Sequence, residues 1–255
     1  MSGKQYHIAL DRDMLCGARC AIMPGDPARV EKIAAYLNNP RFISQSREYT
    51  SWLGEAGGQP VVVTSHGIGG PSTAIAVEEL SALGVDTFIR VGTCGGMNLK
   101  VLAGDAVIVN GAIRAEGTSR EYLPIEFPAI ADIDVTCALR EAAKNMNCRF
   151  HIGVAQCKDS FYGQHDPDRM PVSYELLNKW QAWIRAGALV SEMETAALFA
   201  VASCLGARAG AVMLCIWNQE RERAGMKDDN PTVGGYDESD IPIKIAVGAI
   251  KKLIG

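Results

Sequence analysis

The sequence contains no long apolar run, and this absence argues against a membrane protein. No stretch approaches the roughly 18 apolar residues that a membrane-spanning helix needs. Residues 1–7 also lack the apolar segment of a secretory signal peptide. We therefore expect a cytoplasmic protein without a membrane partner.

An excess of charge of one sign is lacking as well. The 25 basic residues are dispersed among 29 acidic ones, and the net charge is −4. Such a surface does not favour nucleic acid or an anionic membrane as a partner. We expect small-molecule partners, so any anion must be bound at a local site.

The patterns of disulfide frameworks and zinc sites are missing too. Cys16 and Cys20 are too far apart for a CxxC pair, and no HExxH motif is present. Five of the eight cysteines lie in or beside apolar runs, where cysteine behaves as a small hydrophobic residue. We predict reduced, inert cysteines and no organic cofactor.

Apolar residues, in contrast, make up 48% of the 255 residues, which is ample for one full core. We predict a single domain over residues 1–255. Strand-like and helix-like segments alternate, which predicts an α/β fold with helices on both faces of the sheet. The predicted strands are 19–23, 47–52, 60–64, 87–96, 105–110, 150–156 and 209–217. The predicted helices are 28–37, 72–83, 132–147, 172–184, 191–205 and 240–254.

Four segments lack this periodicity. Residues 1–18 are predicted to form an irregular N-terminal arm, and residues 116–130 and 158–171 to form loops. Residues 220–238 combine charges, glycines and a proline without a repeat. Structureless stretches of this length in compact domains are often lids, so we predict a mobile flap there.

The strand Thr87–Gly96 carries one arginine, Arg90, and ends in a glycine-rich turn. Burying an unpaired guanidinium costs several kcal/mol in practice, so Arg90 must meet a negative charge. That charge is either a bound anion, approached by the backbone of the glycine turn, or a structural carboxylate. The strand alone does not decide between them.

A second candidate anion site follows the first strand. Gly25 precedes a helix whose first turn contains Arg29, and Asp26 and Pro27 are suited to the N-cap and the first helical position. Together with Arg90 and Thr93, Arg29 would enclose a phosphate. The alternative is an ordinary surface arginine.

A third candidate, Ser191-Glu-Met-Glu194, has two interpretations. The S-x-x-E spacing before an apolar helix is typical of a capping box, in which Glu194 serves only the helix. Alternatively, the carboxylates accept hydrogen bonds from sugar hydroxyls while Met193 packs on the sugar ring. Spacing alone leaves both open.

Five motifs, in their order along the chain, resemble the nucleoside phosphorylase-I family, and most closely its uridine-cleaving members. The similarity extends from about His7 to the last helix. The motifs are Met23-Pro-Gly-Asp-Pro-Ala-Arg29, Gly67-Ile-Gly-Gly-Pro-Ser-Thr-Ala-Ile-Ala-Val-Glu-Glu-Leu80, Arg90-Val-Gly-Thr93, Asp159-Ser-Phe-Tyr162 and Glu192-Met-Glu194. The resemblance implies a single-domain, three-layer α/β/α fold with a central mixed, partly barrel-like sheet. It also implies a homo-oligomer, a hexamer built as a trimer of dimers.

The resemblance assigns roles to individual residues. The residues implied to hold phosphate are Gly25, Arg29, Arg90 and Thr93, with Arg47 from the adjacent subunit. Those implied to hold ribose are Glu192, Met193 and Glu194, with His7 from the neighbour. Phe161 would stack on the base and Gln164 would bind its polar edge. The positions that bind potassium between subunits in some relatives are Glu48, Ile68 and Ser72.

One departure from the family pattern concerns the base edge. The family has Gln-x-Arg there, whereas Gln164 is followed by His165 and Asp166. A carboxylate would repel the carbonyl groups of uracil, so another cation must take the place of the arginine. Lys158 and Arg169 are the candidates, and we favour Lys158 because it is nearer to Phe161. The alternative for Lys158 is an ordinary solvated lysine.

The implied activity is reversible phosphorolysis of uridine, with inorganic phosphate as co-substrate and Arg90, Thr93, Gln164 and Glu194 as catalytic residues. The nearest alternative is a purine nucleoside phosphorylase. Purine-specific relatives use an aspartate after the late strand to protonate the base, and Cys215–Gln219 contains no aspartate. A hydrolytic nucleosidase is less favoured, because Arg29, Arg47 and Arg90 would then have no anion to bind. A non-catalytic nucleoside-binding protein is the alternative from a different class.

Overall fold

The structure, a computed structural model, describes residues 3–226 and 240–254. The strands are β1 (Cys20–Pro24), β2 (Asn38–Ser46), β3 (Tyr49–Ala56), β4 (Gln59–Thr64), β5 (Thr87–Gly96), β6 (Ala106–Ala115), β7 (Ala129–Ile130), β8 (Phe150–Lys158), β9 (Val190–Glu192) and β10 (Arg208–Asn218). The helices are α1 (Arg12–Leu15), α2 (Ala28–Ala34), α3 (Gly70–Ala82), α4 (Thr118–Tyr122), α5 (Ile133–Asn145), α6 (Phe161–His165), α7 (Ser173–Arg185), α8 (Thr195–Cys204), α9 (Gln219–Arg223) and α10 (Asp240–Ile254), with a 3₁₀ helix at Pro167–Arg169.

All these strands belong to one mixed sheet. Its order is β10-β6-β8-β9-β5-β1-β4-β3-β2, with β7 paired to β6. Strand β10 also pairs with β5, so β5, β10, β6, β8 and β9 close into a barrel from which β1, β4, β3 and β2 extend as an open sheet. This confirms the predicted central mixed, partly barrel-like sheet.

Helices cover both faces of the sheet, as predicted. Apolar residues of α3 and α8 pack in one buried cluster, exemplified by Leu80 and Phe199. Residues of α2, α5 and α10 pack in a second, exemplified by Ile33, Leu139 and Ile250. The layers are therefore helix, sheet and helix. Within the described residues, no helix is both long and apolar enough to cross a membrane.

Strand β5 changes its neighbour partway along its length. Its first half pairs with β1 as far as Val91, opposite Pro24, and its last residues pair with β9 from Gly95 onward. On its other side it pairs with β10 throughout. Among the described strands, residues 92–94 therefore have a neighbour on one side only. The sheet opens at this point, beside Arg90.

The structure corrects several predicted segments. The arm is not wholly irregular, because Asp11 caps the short helix α1 and Leu10 and Leu15 are buried. The predicted loops contain α4 and β7, and α6 with the 3₁₀ helix. Strand β2 was not predicted, because most of its side chains are exposed and do not alternate in polarity. These elements are too short or too exposed to leave a clear hydrophobic period.

Two further predictions change at the late elements. The helix predicted from Ser191 begins at Thr195, and Ser191 lies in β9 instead. The segment predicted as a flap begins with helix α9, which ends at Arg223. Residues 227–238 of that prediction lie outside the described residues.

Candidate active site

A cavity of about 720 Å³ lies where the sheet opens. It is lined by residues that are far apart in sequence and that follow or end β1, β5, β8, β9 and β10. The predicted site residues among them are Gly25, Arg29, Glu48, Ile68, Ser72, Arg90, Thr93, Lys158, Phe161, Gln164, Glu192, Met193 and Glu194. The fold thus brings three of the sequence-predicted clusters, for phosphate, sugar and base, to a single site.

Arg90 lies at the inner end of this cavity and is 4% exposed. Its Nε donates to Glu192 Oε2 at 3.2 Å, and its Nη2 donates to Glu194 Oε2 at 2.6 Å. The structural Arg–carboxylate pair is therefore present. These contacts and one to His66 use three of the five guanidinium N–H groups, so two donors remain for a ligand. A Cβ at Gly92 would lie 2.8 Å from Arg90 Nη2, which explains the glycine there.

His66 is a functional candidate that the sequence did not reveal. Burial, reinforced by the charge of Arg90, lowers the pKa of His66 to about 3, so the ring is neutral. Its Nε2 accepts from Arg90 Nη1 at 2.9 Å, and its Nδ1–H donates to Thr73 Oγ1 at 3.1 Å. His66 therefore fixes the arginine without adding a competing charge. The glycine turn after it was the only signal in the sequence.

Arg29 and Gly25 complete this end of the cavity. Burial lowers the pKa of the half-buried Arg29 guanidinium, and Arg90 lowers it further despite the opposing effect of Asp26. Two cations thus repel each other across the cavity, and an anion between them would relieve the repulsion. Asp26 accepts from the Ala28 N–H at 2.9 Å, as predicted for a helix cap. A Cβ at Gly25 would come within 3.0 Å of the Gly67 carbonyl oxygen.

The two carboxylates of Glu192-Met-Glu194 have different roles in the protein. Glu192 accepts from the N–H groups of Glu194 at 2.8 Å and Thr195 at 3.0 Å, so it is Glu192 that caps α8. Glu194 accepts from the Gly69 N–H at 2.7 Å as well as from Arg90. The capping-box interpretation of Ser191 and Glu194 is therefore wrong. Glu194 is the N-cap residue of α8, but its side chain makes no capping hydrogen bond and lines the cavity beside Met193.

The outer end of the cavity has an aromatic wall. The Phe161 ring, 51% exposed, lies 4.2 Å from the His165 ring, which in turn lies 5.5 Å from the Trp217 ring. Sequence reasoning missed His165 and Trp217. A bulge in β10 between Cys215 and Trp217 turns Ile216 outward into the cavity, and no feature of the sequence signals that bulge. Burial, then Lys158 and Arg223, lower the pKa of His165.

A polar edge faces this wall. Lys158 is 8% exposed, and its Nζ donates to Ser191 Oγ at 2.7 Å. Burial lowers the pKa of Lys158, while the charge of Glu192 opposes the shift. Gln164 donates from Nε2 to Gln219 Oε1 at 3.0 Å. Lys158 is therefore a buried cation of the cavity and not a solvated surface lysine.

Arg169, the other candidate for the base edge, is not brought to the cavity. Its guanidinium pairs with Asp166 at 3.1 Å and lies over the ring of Tyr162, and both charged side chains are more than half exposed. The structure therefore brings Lys158 and not Arg169 to the cavity. The sequence favours Lys158 over Arg169 because Lys158 is nearer to Phe161. In the structure the cause is the strand, since Lys158 is the last residue of β8 and this strand leads into the cavity.

Two predicted residues lie away from the cavity of their own chain. His7 Nδ1 is 2.6 Å from Glu79 Oε1, and the backbone N–H groups of His7 and Ile8 donate to the same carboxylate. Arg47 is exposed, and its guanidinium carbon lies 5.8 Å from the ring centre of Tyr6. That these residues serve a neighbouring subunit stays a prediction.

The residues implied to bind potassium lie at the mouth of the cavity. Ser72 Oγ donates to Glu48 Oε1 at 2.8 Å, and Ile68 is 79% exposed. The N–H of Glu48 itself, together with Ser72 and Arg47, lowers the pKa of the Glu48 carboxyl. A carboxylate and a hydroxyl are the hard oxygen donors that an alkali cation takes, so these residues fit a partial site. Among the described residues, no group of three His, Cys, Asp or Glu side chains forms a metal site.

Comparison with known proteins shows similarity to phosphorylases. A family model described as "Phosphorylase superfamily" matches residues 19–236. Uridine phosphorylase of Treponema pallidum is 51% identical over 250 residues, covering 98% of this chain and 94% of the relative. Uridine phosphorylase of Haemophilus influenzae is 45% identical over 228 residues, covering 87% and 89%. Guanosine phosphorylase of Halorubrum lacusprofundi is 37% identical over 252 residues, covering 98% and 99%.

Proposed function

The chain belongs to the phosphorylase superfamily, and on that basis we propose that it catalyses the reversible phosphorolysis of uridine to uracil and ribose 1-phosphate. The observation that carries the proposal is the composition of one cavity. A pair of guanidinium groups lies at its inner end, carboxylates lie beside them, and an aromatic wall with an amide and an ammonium group lies at its outer end. These groups match phosphate, ribose and a pyrimidine in the order in which the reaction requires them.

The reaction needs phosphate below the sugar. A phosphate oxygen forms a bond to the anomeric carbon while the bond from that carbon to the base nitrogen breaks, and the electron pair leaves with the base. Arg90 and Arg29 hold the phosphate between their guanidinium groups, with the backbone of Gly25 and the hydroxyl of Thr93 as further contacts. Positioning the phosphate in this way removes much of the entropic cost of the encounter.

The ribose lies against Glu192-Met-Glu194. Glu194 accepts hydrogen bonds from the ribose hydroxyls, while the half-buried Met193 packs against the ring face. Glu192 holds the other two in place because it caps α8 and pairs with Arg90. Charged acceptors near the sugar also stabilise the positive charge that develops on it as the bond breaks.

The departing base gains negative charge and finally takes up the proton that the hydrogen phosphate loses as its oxygen bonds to the sugar. Phe161 stacks on the base, and Gln164 binds its polar edge. Lys158 supplies the positive charge that the missing arginine supplies in the family pattern, because its buried ammonium group lines the same end of the cavity.

We also propose that the active site is completed by a second copy of the chain in a hexamer built as a trimer of dimers. In support, His7 and Arg47 lie outside their own cavity, and the cavity mouth carries the exposed Ile68. In that assembly a potassium ion would bind Glu48, Ile68 and Ser72 and would hold subunits together. A cytoplasmic location is supported by the eight cysteines, which are all free thiols.

Guanosine phosphorolysis is the second candidate, because one relative carries that name. A purine needs a proton donor at the end of β10, and the polar residue there is Asn218. Its Nδ2 donates to the carbonyl groups of Asn98 and Val101, and its Oδ1 caps α9. Asn218 is therefore committed to the fold, which favours uridine.

The test uses the purified protein with uridine, guanosine or inosine, each with and without inorganic phosphate, and measures ribose 1-phosphate and the free base. We expect phosphate-dependent release of uracil with a clear preference for uridine. A preference for guanosine or inosine would replace the proposal with the purine alternative. Cleavage without phosphate would indicate a hydrolase, and no turnover of any nucleoside would contradict the proposal.

A further inference from the structure

The hydroxyl of Ser191, on β9, lies at the centre of a buried polar cluster. Its Oγ is 2.7 Å from Lys158 Nζ, 2.6 Å from Gln164 Oε1 and 2.5 Å from Gln156 Oε1. All four side chains belong to residues that are less than one-tenth exposed. Hydrogen bonds in this cluster are therefore shielded from water, and their directions matter.

Proton counting limits the arrangements of this cluster. An ammonium group only donates, so Lys158 takes one lone pair of the Ser191 oxygen. The single hydroxyl proton then reaches one of the two amides through its oxygen atom. The other amide must turn its NH₂ group toward Ser191, because two oxygen atoms at this distance repel each other without a proton between them. Either Gln156 or Gln164 receives the proton.

The surroundings of Gln156 favour one arrangement. Gln156 lines a second cavity of about 420 Å³ and not the first, whereas Gln164 lines both. The charged side chains that line this second cavity are Arg114, Arg120, Lys158, Asp159, Lys179 and Arg223. Five of these six are cations, of which Lys179 and Arg223 are paired with Glu175 and Glu220. Gln156 borders this cavity alone, so its amide oxygen turns toward these cations, whereas the Gln164 amide is tied to Gln219. The NH₂ group of Gln156 then faces Ser191, and the hydroxyl proton goes to Gln164.

The arrangement continues to the other end of Gln164. With its Oε1 accepting from Ser191, Gln164 donates from Nε2 to Gln219 Oε1 at 3.0 Å. The amide of Gln164 is thus held at both ends in one orientation. Each end keeps one unused group, a lone pair on the oxygen and an N–H on the nitrogen, that can meet a base.

We propose that Ser191, held by Lys158, fixes the orientation of the Gln164 amide and thereby makes the site select pyrimidines with an N–H between two carbonyl groups over 4-amino pyrimidines. This inference rests on the proposed function. Uracil offers a donor at N3 beside an acceptor, which matches the unused oxygen and N–H of the amide. Cytosine offers an acceptor at N3 beside a donor, which requires the reverse orientation, and its amino group also repels the Lys158 ammonium group. Ser191 is a positioning residue in this scheme, because it acts through Gln164.

The test compares Ser191→Ala with Ser191→Thr, which keeps a hydroxyl. The measured quantity is the ratio of kcat/KM for uridine to kcat/KM for cytidine at saturating phosphate. Where cytidine turnover is too slow to measure, the inhibition constants of uracil and cytosine replace it. We expect the alanine variant to lose about tenfold or more of the selectivity, since a hydrogen bond that orients a group is removed. The threonine variant should retain the selectivity to within about threefold.

A second variant removes the competing amide. Gln156→Met leaves Gln164 as the sole amide acceptor for the Ser191 proton, so the uridine-to-cytidine ratio should stay at or above that of the wild type. Thermal unfolding of each variant reports whether it is folded. An equal fall in both activities for Ser191→Ala, with the ratio unchanged, would show a purely structural role and overturn the inference. A loss of selectivity in Gln156→Met would overturn it too.

The wild-type protein separates this inference from the function on which it rests. If the wild type releases no uracil from uridine, the proposed function fails. If it does and the Ser191→Ala variant keeps the wild-type ratio, only the inference about Ser191 fails.

Discussion

At the inner end of the cavity, Arg90, His66 and Glu194 are buried and joined by hydrogen bonds of 2.6 and 2.9 Å. At the outer end, Phe161 is 51% exposed, and its ring lies 4.2 Å from the half-buried ring of His165. Arg90 lies on β5 in the middle of the sheet, Glu194 immediately precedes α8, and His66 lies in the turn between β4 and α3. The outer ones lie on a helix of five residues.

This difference separates the two parts of the chemistry. The groups proposed to bind phosphate and ribose are fixed by the core, so they are the same whatever base is bound. The groups proposed to bind the base are mixed: Phe161 lies exposed on the short helix α6, whereas Gln164 on the same helix and Lys158 at the end of β8 are buried. The exposed aromatic wall is therefore the part of the site where a substitution disturbs least else.

Arg90→Met should have the largest effect and tests whether the inner end of the cavity is the fixed part of the site. The variant leaves Glu192 and Glu194 as buried carboxylates without their cation and removes a proposed phosphate ligand. We expect the free energy of unfolding to fall by about 3–5 kcal/mol, and kcat/KM for phosphate to fall by about a thousandfold. Urea unfolding and steady-state kinetics measure the two effects.

Arg29→Met is the matched control, because Arg29 is half-buried and lies on α2 rather than in the sheet. It should weaken phosphate binding by about tenfold, with a change in stability of less than about 1 kcal/mol. If Arg90→Met were as stable as the wild type, the inner end would not be the fixed part of the site.

The pH dependence of stability gives the next largest effect. The pKa of His66 is about 3 in the folded protein, and its ordinary value in an unfolded chain is about 6.5. Below pH 6.5 the unfolded chain takes up a proton that the folded protein does not, so His66 stabilises the fold above this pH and the contribution is lost as the pH falls toward 3. We expect a loss of several kcal/mol over this range.

Urea unfolding of the wild type and of His66→Gln between pH 4 and 8 measures this contribution. The glutamine variant should show a shallower decline with falling pH, because it has no titrating group at this position. Parallel pH profiles for the two proteins would contradict the assignment of His66 as a buried neutral ring.

Glu194→Gln tests the proposed sugar contact. The glutamine oxygen still accepts from the Gly69 N–H, but the charge that faces Arg90 and the ribose is lost. We expect kcat/KM for uridine to fall by about a hundredfold, with a smaller change in the KM for phosphate. Initial rates with each substrate varied in turn distinguish the two. A rise in the KM for phosphate alone would move Glu194 from the sugar to the phosphate site.

Lys158→Met should lower activity less than Arg90→Met or Glu194→Gln, because Lys158 is proposed to contact only the base. Loss of the ammonium group should lower kcat/KM for uridine by about tenfold. Burial lowers the pKa of Lys158, so the wild-type rate should decline with rising pH at a lower pH than an exposed lysine would give. That alkaline decline should be absent from the variant.

Arg169→Met is the control for the same charge change at the surface, since Arg169 pairs with the exposed Asp166. Its rate should stay within about twofold of the wild type. A larger loss in Arg169→Met than in Lys158→Met would show that the exposed arginine reaches the base in solution.

The sequence predicted the inner end of the site better than the outer end, for a physical reason. A lone arginine in a buried strand must meet a negative charge, so a charged partner for Arg90 follows from local rules, although the identity of its partners does not. The bounds of β5 are as predicted, Thr87–Gly96. The predicted helix 132–147 corresponds to α5, in which Asp132 is the N-cap.

The missed residues depend on contacts that sequence patterns do not encode. His66 contacts Arg90 across 24 positions, and Gln219 contacts Gln164 across 55. Trp217 reaches the aromatic wall only because of the bulge in β10. Ser191 looked like a helix cap because S-x-x-E occurs there by spacing alone, whereas pairing with β5 and β8 places it in a strand.

The change of neighbour along β5 has a further consequence. β1 ends at Pro24, opposite Val91, and β9 begins its pairing opposite Gly95, so three residues of β5 face the cavity instead of a strand. A ligand there stands in for the missing stretch of sheet, because its oxygen atoms can accept hydrogen bonds that a neighbouring strand would otherwise accept. Pro24, the last residue of β1, has no N–H and therefore cannot donate a hydrogen bond to β5 beside this gap. The site is thus an interruption in strand pairing, and each further residue pair between β1 and β5 would take backbone groups away from the ligand.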